Sequence, residues 1–438
     1  MYIKKIFLEH IRCFKNIEIS YDLPGDAPPW TVIVGDNAAG KTTLLRSIAI
    51  GLCDESSAAG LLKESDSGYV RYGEKEGKII IDLSEADKNY QIKTTIKSKK
   101  TAQDYRYEEV RQETTPKVFP WEKLFVAGYG AGRGTSGTGD IADYAVINAV
   151  YNMFNYTEGL QNPELTILRL KEPDSQKEVK EILEKLLTVS SVKWEKSGIT
   201  VDGIWGNEMP LRDLADGYKS TFLWITDLLG WAVSFDPKTQ KSSAIKGVVL
   251  VDEIEQHLHP KWQKDIIGQL KIQFPRIQFI TTTHSPLVAS SFGALTQEDI
   301  DKRILLSLSP NKGVLKEELP PMIGWRVDKI LASKAFEYQI TGESDEVDKL
   351  LYEASILAGK KRRTKQEHER YLEIKRKIAL ARLSERQTEP EDKIDREIAT
   401  YLINRIKQKG EEIFGEANDK NIPSRKTPKA FFKRAAKK

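Results

Sequence analysis

Cysteine and long hydrophobic runs are scarce in this sequence, and each scarcity excludes a class of protein. The 438 residues include two cysteines, Cys13 and Cys53, which are too few for a disulfide framework or a cysteine-rich zinc site. We expect both to be small core residues. The longest apolar run near the middle of the chain, Phe222–Val233, has twelve residues and contains an aspartate. Because a bilayer span needs about 20 apolar residues, this run predicts a buried helix.

Charge of one sign is not in large excess, and no apolar signal segment opens the chain. The formal net charge is +4, which does not by itself indicate a nucleic-acid-binding protein. The basic excess is concentrated in Gly359–Lys365 and Lys420–Lys438, and the second segment has no acidic residue. Such a tail either binds DNA or RNA or is a solvated, disordered terminus, and the sequence leaves both open.

The N-terminal stretch lacks the apolar core of a signal peptide, so we expect a cytoplasmic protein without membrane association.

Strands alternate with helices over most of the chain, which is typical of an α/β fold with a partly parallel sheet. Alternating apolar residues predict strands over most of residues 1–34. Apolar, β-branched runs at 247–253 and 277–284 predict strands that are buried on both faces. From about residue 325 the sequence is helical and highly charged, so we place a domain boundary there. A disordered end is expected from about residue 420.

The stretch GDNAAGKT, Gly35–Thr42, fits the phosphate-loop pattern G-x-x-x-x-G-K-[ST]. It follows the buried strand TVIV and opens a helix, which is the context that this pattern requires. Glycines let the backbone approach a phosphate, and the N–H groups at the helix start supply partial positive charge. Lys41 is predicted to reach the β- and γ-phosphates, and Thr42 to bind Mg²⁺. The predicted nucleotide-binding residues are Gly35, Asp36, Asn37, Ala38, Ala39, Gly40, Lys41, Thr42 and Thr43.

Two further strand ends carry polar residues suited to nucleotide hydrolysis. The apolar run VVLVDE brings Asp252 to a strand tip, where its carboxylate can complete the Mg²⁺ site with Thr42. Glu253, one residue later, can orient or deprotonate the attacking water. The run FITTTHSP ends another buried strand at His284, whose imidazole can hydrogen-bond a γ-phosphate. We therefore predict Glu253 and His284 as catalytic residues, with ATP and Mg²⁺ as ligands.

The stretch LADGYKS, Leu214–Ser220, is predicted to open a long helix that runs from Leu214 to about Val233, shortly before the strand that ends at Asp252. It resembles the L-S-D-G-x-[RK]-S signature of ABC-type ATPases, in the form used by a prokaryotic group of the SMC, RecF and OLD branches. Five further stretches are similar to segments of this family: IRCFKN, FVAGYGAGR, NPELTILRL, DEIEQHLHPKWQ and, at Gly324–Phe336, GWRVDKILASKAF. The resemblance therefore covers roughly residues 1–340.

This resemblance implies an ABC-type ATPase head with a mixed β-sheet, which holds ATP between two subunits of a head-to-tail homodimer. The signature helix of one subunit then points at the γ-phosphate bound by the other. The trans signature residues would be Leu214, Ala215, Asp216, Gly217 and Lys219. The implied organisation is an ATPase lobe with the phosphate loop (1–140), a mainly helical insertion (141–210), a lobe with the signature, Walker B and H-loop motifs (211–325), a helical C-terminal extension (326–419) and a basic disordered tail (420–438).

Two departures from the family pattern concern contacts with the γ-phosphate. Ala215 stands where the family usually has serine, and loss of that hydroxyl could weaken the closed dimer by ~1–3 kcal/mol. The glutamine of the family's Q-loop has no clear counterpart, so Arg133 in FVAGYGAGR is the candidate to stand in near the phosphate. Arg12 in IRCFKN is a further candidate site residue. The resemblance of DEIEQHLHPKWQ to the family's Walker B and D-loop block implies that His257 and His259 lie at the dimer seam. We expect no zinc site there, because no cysteine or further histidine is near in the sequence.

Members of this family commonly belong to anti-phage systems, such as the Septu and PARIS ATPases and relatives encoded beside a nuclease. Residues 341–438 lack the strand-borne acidic cluster of OLD nucleases, and His368 is the one histidine beyond His284, so we expect no nuclease site in this chain. The prediction is an ATPase dimer, or a higher oligomer, that controls a separate nuclease or toxin. Two alternatives stay open: a RecF-like DNA-binding repair protein, and a sensor that binds ATP but rarely hydrolyses it.

Overall fold

The computed structural model divides the chain into two compact units, residues 1–341 and 342–438. The first unit extends past the predicted boundary near residue 325. Asp36, most of the predicted C-terminal extension and the basic tail at 420–438 lie outside the described residues. The structure describes residues 1–21, 28, 30–35, 37–65, 68–86, 88–100, 106–133, 143–155, 157, 159–170, 173–195, 198–238, 241–291, 303–309, 315–319, 330, 333, 353 and 364–382.

The first unit contains strands and helices in alternation. Its strands are β1 (Tyr2–Ile11), β2 (Phe14–Ser20), β3 (Trp30–Gly35), β4 (Glu76–Glu85), β5 (Lys88–Lys100), β6 (Arg106–Thr115), β7 (Val126–Tyr129), β8 (Ser191–Glu195), β9 (Gly198–Gly203), β10 (Gly206–Pro210), β11 (Gly247–Val251), β12 (Ile277–Thr282), β13 (Arg303–Ser309) and β14 (Leu315–Leu319). Its helices are α1 (Lys41–Gly51), α2 (Glu55–Lys63), α3 (Val146–Val150), α4 (Pro163–Arg169), α5 (Pro173–Leu187), α6 (Asp216–Phe235), α7 (Pro260–Gln273) and α8 (Pro286–Ser290).

Three sheets organise this unit. The central sheet has the order β14-β13-β3-β12-β11-β7 and is parallel except for β14, which pairs antiparallel with β13. An antiparallel sheet has the order β2-β1-β4-β5-β6, and a small antiparallel sheet has the order β10-β9-β8. The mixed α/β fold predicted from the sequence is confirmed.

The central sheet is buried on both faces, as its continuous apolar strands predict. In β11, Val249 and Val251 belong to a core that includes residues of α5, α6 and α7. Val248 and Leu250, which point the other way, belong to a second core shared with α1 and the antiparallel sheet. Since side chains alternate along a strand, one five-residue run supplies both cores.

The register of the parallel strands brings their carboxyl ends to one edge. Thr281 of β12 pairs with Val251 of β11, and Thr282 pairs with Ile33 of β3. The loops that follow these three neighbouring strands therefore begin side by side. Ligands of open α/β sheets bind at this edge, outside the carboxyl ends of the strands.

Some elements differ from the sequence-based expectation. The segment 191–210 forms the three strands β8, β9 and β10, where the sequence predicts two short strands over residues 191–206 at the end of the mainly helical insertion. Val192 and Val201 are buried there against the core that contains α5, so the strands complete a helix-backed layer. Strands β6 and β14 were not predicted. The sequence of β6, RYEEVRQETT, is mostly polar, and its place in the sheet comes from ladder pairing with β5.

In the second unit, the described helix α9 (Lys365–Arg382) begins with a reciprocal cap. The Thr364 N–H donates to Glu367 at 2.9 Å, and the Glu367 N–H donates to the Thr364 hydroxyl at 3.2 Å. Arg370 donates two hydrogen bonds to Glu353, at 2.9 and 3.0 Å. This helix begins within the region predicted to be helical and charged. Among the described residues, no helix has the length and apolar character needed to cross a bilayer.

Candidate nucleotide-binding site

The phosphate loop adopts a backbone shape that requires glycine at two positions. Gly35 has φ +149° and Gly40 has φ +94°, conformations that residues with a Cβ rarely adopt. A Cβ at Gly35 would overlap the carbonyl oxygen of Leu308 in β13, and one at Gly40 would overlap the Cys13 thiol. The loop is thus held tightly between the central sheet and the turn after β1.

Helix α1 begins at Lys41, directly after this loop, so its N-terminal partial charge faces the cleft. The Lys41 side chain is buried, and its ammonium donates a 2.7 Å hydrogen bond to the Gly35 carbonyl. The Thr42 hydroxyl donates to Oδ2 of Asp252 at 2.7 Å. The sequence predicted that Thr42 and Asp252 would share a metal site, and the fold places these two oxygen ligands in direct contact.

Asp252 lies at the tip of β11 and is 2% exposed. Its second carboxylate oxygen, Oδ1, accepts a hydrogen bond from the Thr282 hydroxyl at the end of β12. Its backbone N–H donates to the Tyr129 carbonyl at 2.8 Å, which ties it to β7. A carboxylate and a hydroxyl oxygen at a phosphate loop fit Mg²⁺, which prefers one or two protein oxygens plus phosphate and water.

Glu253 follows Asp252 in a left-handed backbone conformation, with φ +47°. Its N–H donates to the Thr282 hydroxyl at 2.8 Å, and its carbonyl accepts from the Arg133 guanidinium at 2.7 Å. A non-glycine residue in this region is strained by ~1–2 kcal/mol, and such strain clusters at functional sites.

His284 lies just beyond β12, and its backbone is held by Glu255. The His284 N–H donates to Oε1 of Glu255 at 2.6 Å, and the Thr283 hydroxyl donates to Oε2 at 2.7 Å. Sequence reasoning did not identify Glu255 as a site residue. Its position two residues after the predicted catalytic glutamate, in an acidic DEIE stretch, is the signal that could have suggested it.

One cleft of about 290 Å³ brings most of the predicted site residues together. Gly35 shapes the loop without lining this cleft, and Cys13, which was not predicted, does line it. The lining residues are Arg12, Cys13, Asn37, Ala38, Ala39, Gly40, Lys41, Thr42, Thr43, Asp252, Glu253 and His284.

The two arginine candidates lie in different surroundings. Arg12 lines the cleft, with its guanidinium 4.1 Å from the Tyr69 ring centroid and Nε donating to the Gly68 carbonyl at 2.9 Å. Arg133 is buried, 1% exposed, and is not a cleft-lining residue. Its guanidinium donates to the backbone carbonyls of Asp252 and Glu253. These contacts place the Arg133 guanidinium behind the Asp252–Glu253 turn, and its predicted place near phosphate stays a prediction.

The signature residues lie at the start of α6, outside this chain's own cleft. The helix begins at Asp216, two residues later than the sequence predicted, because Leu214 is buried in extended backbone. Ala215 is the exposed N-cap residue and supplies no side-chain cap. Lys219 reaches back to Asp216 at 3.9 Å, while the Asp216 side chain is 78% exposed.

The segment between β11 and α7 packs against the start of α6. A Cβ at Gly217 would overlap the backbone carbonyl oxygen of His257, so glycine permits this contact. His257 has φ +63°, and His259 caps α7 by accepting a hydrogen bond from the Lys261 N–H at 3.3 Å. Across the described parts of the chain, no group of three His, Cys, Asp or Glu side chains could hold a metal ion.

Two family models and a solved structure match this chain over part of its length. A model described as "AAA domain" matches residues 5–196, and one described as "AAA domain, putative AbiEii toxin, Type IV TA system" matches residues 159–290. The SMC head domain from Thermotoga maritima is 14% identical with a TM-score of 0.40, covering 73% of this chain and 100% of that one.

Two curated proteins match this chain at higher sequence identity. The Septu protein PtuA of Bacillus mycoides (strain KBAB4) is 28% identical over 340 residues, 76% of this chain and 45% of that protein. The retron Vc95 probable ATPase of Vibrio cholerae serotype O1 biovar El Tor is 40% identical over 95 residues, 22% of this chain and 18% of that protein. The resemblance to SMC/RecF/OLD-like anti-phage ATPases that the sequence predicts is confirmed by these matches. The chain spans less than half the length of these curated relatives.

Helix α6, which begins within the signature stretch, is anchored by a buried carboxylate. Asp227 accepts hydrogen bonds from the Tyr129 hydroxyl at 2.9 Å and from the Gln161 N–H at 2.8 Å. Burial raises the pKa of Asp227 from 3.8 to about 7. The signature helix is thereby fixed to the end of β7, the strand that leads to Arg133.

This raised pKa predicts a pH-dependent stability. Between pH 4 and pH 7 the unfolded chain ionises Asp227 while the folded chain keeps it protonated, so stability falls as pH rises through this window. Asp227→Asn removes this titration. Between pH 5 and pH 8, the free energy of unfolding of the variant should therefore rise by roughly 3 kcal/mol relative to that of the parent. Urea unfolding at a series of pH values measures this. The exposed Asp213→Asn serves as control, and parallel profiles for Asp227→Asn and the parent would contradict the prediction.

Proposed function

We propose that this chain binds ATP with Mg²⁺ and hydrolyses it in a head-to-tail dimer, and that the ATPase controls a separate nuclease or toxin in prokaryotic anti-phage defence. The observation that carries the ATPase part is the meeting of three motifs in one cleft. The phosphate loop, Asp252, Glu253 and His284 all lie at the carboxyl edge of β3, β11 and β12.

The roles follow from chemistry and position. Lys41 and the N-terminus of α1 supply positive charge for the β- and γ-phosphates. Thr42 and Asp252 would hold Mg²⁺, which would neutralise charge that develops on the phosphates. Glu253 accepts a proton from, or orients, the attacking water. His284, with its backbone fixed by Glu255, directs its imidazole to the γ-phosphate.

The dimer part rests on the position of the signature. Leu214–Lys219 do not line the cleft of their own chain, and Ala215 and Asp216 are exposed at the start of a 20-residue helix. An exposed helix N-terminus is suited to an anionic ligand that another subunit presents. We therefore place each signature opposite the γ-phosphate of the partner subunit, with cooperative closure around two ATP molecules.

The effector part rests on the relatives and on the sequence. The relatives carry the names Septu protein and retron probable ATPase. The family that the sequence resembles is commonly encoded beside a nuclease. The sequence pattern of residues 341–438 predicts no nuclease site, so we propose that a separate partner carries the nuclease or toxin activity. Co-purification with the product of a neighbouring gene, and its activation or release on ATP turnover, would test this part.

ATP turnover as a function of protein concentration tests the dimer, and Ala215 supplies the variants. Specific activity should rise with concentration as subunits associate. Ala215→Ser adds a hydroxyl donor toward the partner's γ-phosphate, so we expect half-maximal activity at about 5- to 150-fold lower concentration, the equivalent of ~1–3 kcal/mol.

A matched variant separates this effect from helix capping. Serine and aspartate both cap α6 and should both raise its stability by about 1 kcal/mol. Ala215→Asp, however, places a negative charge against the γ-phosphate and should raise the half-maximal concentration. Equal shifts for the serine and aspartate variants, or specific activity independent of concentration, would contradict the trans arrangement.

The basic segment Lys420–Lys438 favours a second candidate, an ATP-switched DNA-binding protein of the RecF type. Neutralisation of phosphates by lysine and arginine makes such binding fall steeply with salt. Salt-dependent DNA binding that is lost on deletion of residues 420–438 would support this function. ATPase activity with no DNA affinity at low salt would exclude it.

A further inference from the structure

Arg133 is a buried cation whose hydrogen bonds go to backbone carbonyls. One terminal nitrogen donates to the Gly130 carbonyl at 3.1 Å and to the Asp252 carbonyl at 2.7 Å. The other donates to the Glu253 carbonyl at 2.7 Å. A buried charge is costly unless it is offset, and the nearby carboxylates of Glu255, Asp252 and Glu253 offset this one. Burial lowers the pKa of Arg133 to about 10, so the side chain stays charged near neutral pH.

These contacts fix both peptide groups beside the Glu253 Cα. The preceding peptide is held by Arg133 at the Asp252 carbonyl and by the Thr282 hydroxyl at the Glu253 N–H. The following peptide is held by Arg133 at the Glu253 carbonyl and by the Ile254 N–H, which donates to the Thr282 carbonyl at 3.0 Å. Glu253 thus keeps its left-handed conformation because its surroundings determine it, and that conformation sets where the carboxylate points.

We propose that Arg133 is a positioning residue that directs the Glu253 carboxylate into the cleft through the backbone of the Asp252–Glu253 turn. This inference rests on the proposed ATPase function and assigns Arg133 no contact with phosphate. The planar guanidinium can span the two successive carbonyls at once, whereas an ammonium cannot reproduce the fork. Losing it should let the turn relax and move the carboxylate, while the phosphate loop and its lysine stay in place.

The two roles for Arg133 predict different kinetics. A phosphate ligand contributes to ATP affinity, so its loss should raise Kd and KM. A positioning residue acts on the chemical step, where a displacement of about 1 Å can cost on the order of 100-fold. We expect Arg133→Met to lower kcat by about 10- to 100-fold with an ATP Kd within about 3-fold of the parent. The kcat of Arg133→Lys should lie between that of Arg133→Met and that of the parent.

The decisive experiment combines Arg133→Met with Glu253→Gln and measures single-turnover hydrolysis and equilibrium ATP binding for the parent and all three variants. If Arg133 acts through Glu253, adding Arg133→Met to Glu253→Gln should lower the single-turnover rate little or not at all. A full additional loss in the double variant, or a 10-fold rise in Kd with unchanged kcat, would overturn the proposal. The exposed Arg212→Met controls for charge, and thermal melts check folding, with Arg133→Lys replacing Arg133→Met if the latter does not fold.

The result also separates this inference from the proposed function. If the parent has no ATPase activity, or if Glu253→Gln retains it, the proposed function itself fails. If Glu253→Gln is inactive while Arg133→Met and Arg133→Lys hydrolyse ATP like the parent, the positioning role of Arg133 alone fails.

Discussion

Glu253→Gln should reduce ATP hydrolysis by on the order of 10²–10⁴-fold while ATP binding persists. The change keeps the size of the side chain and the backbone contacts of the turn, since both Arg133 and Thr282 hold main-chain atoms. It removes the carboxylate that would take the proton of the attacking water. Lys41, Thr42 and Asp252 are untouched, so the affinity for ATP should change little. Single-turnover hydrolysis and equilibrium binding of ATP measure the two quantities separately.

A remote glutamate provides the control for this prediction. Glu195 at the end of β8 is exposed, and it does not line the cleft. Glu195→Gln should hydrolyse ATP at the parental rate. Parental turnover in Glu253→Gln would remove the general base from the assignment and with it the proposed hydrolytic mechanism.

Gly217→Ala should lower ATP-dependent association by about 10- to 100-fold. A Cβ there would overlap the His257 carbonyl oxygen, so the start of α6 and the loop before α7 would have to separate. Overpacking of this kind costs ~1–3 kcal/mol, and both displaced segments belong to the surface that we assign to the dimer. Sedimentation of the variant with ATP and Mg²⁺, in the hydrolysis-deficient Glu253→Gln background, measures the association constant.

The chain offers a matched glycine for comparison. Gly268 lies within α7, and a Cβ there meets no atom within 4 Å. Gly268→Ala should leave association unchanged and stabilise the helix by about 0.5–1 kcal/mol. If both alanine variants associate like the parent, the contact between Gly217 and His257 does not shape the dimer surface.

The motifs could be predicted from sequence because each is local. The phosphate loop, Asp252 and His284 each follow a strongly apolar strand. Parallel pairing then requires the ends of β3, β11 and β12 to meet. No long-range detail is needed beyond that pairing, so the cleft and the mixed α/β class followed from pattern alone. Helix α6 was also predictable, although its first residue was placed too early because Leu214 reads as helical but is buried in extended backbone.

Long-range packing decided what the sequence could not reveal. Nothing near Arg133 in sequence shows that its donors reach Asp252 and Glu253, more than 100 residues away. Glu255 reads as an ordinary acidic turn residue until β12 brings Thr283 and His284 beside it. Strand β6 has too few apolar positions to be detected, because its place depends on pairing with β5.

The central claim, that each ATP is hydrolysed between the cleft of one subunit and the signature of another, is tested most directly by mixing two impaired variants. Lys41→Ala disables the cleft of its own subunit, and Gly217→Ala disables the signature that it presents to a partner. In a mixed dimer, the intact cleft of the second variant meets the intact signature of the first. We predict hydrolysis by the mixture well above the sum of the two variants measured alone. Activity equal to that sum, in a mixture shown to exchange subunits, would contradict the composite site.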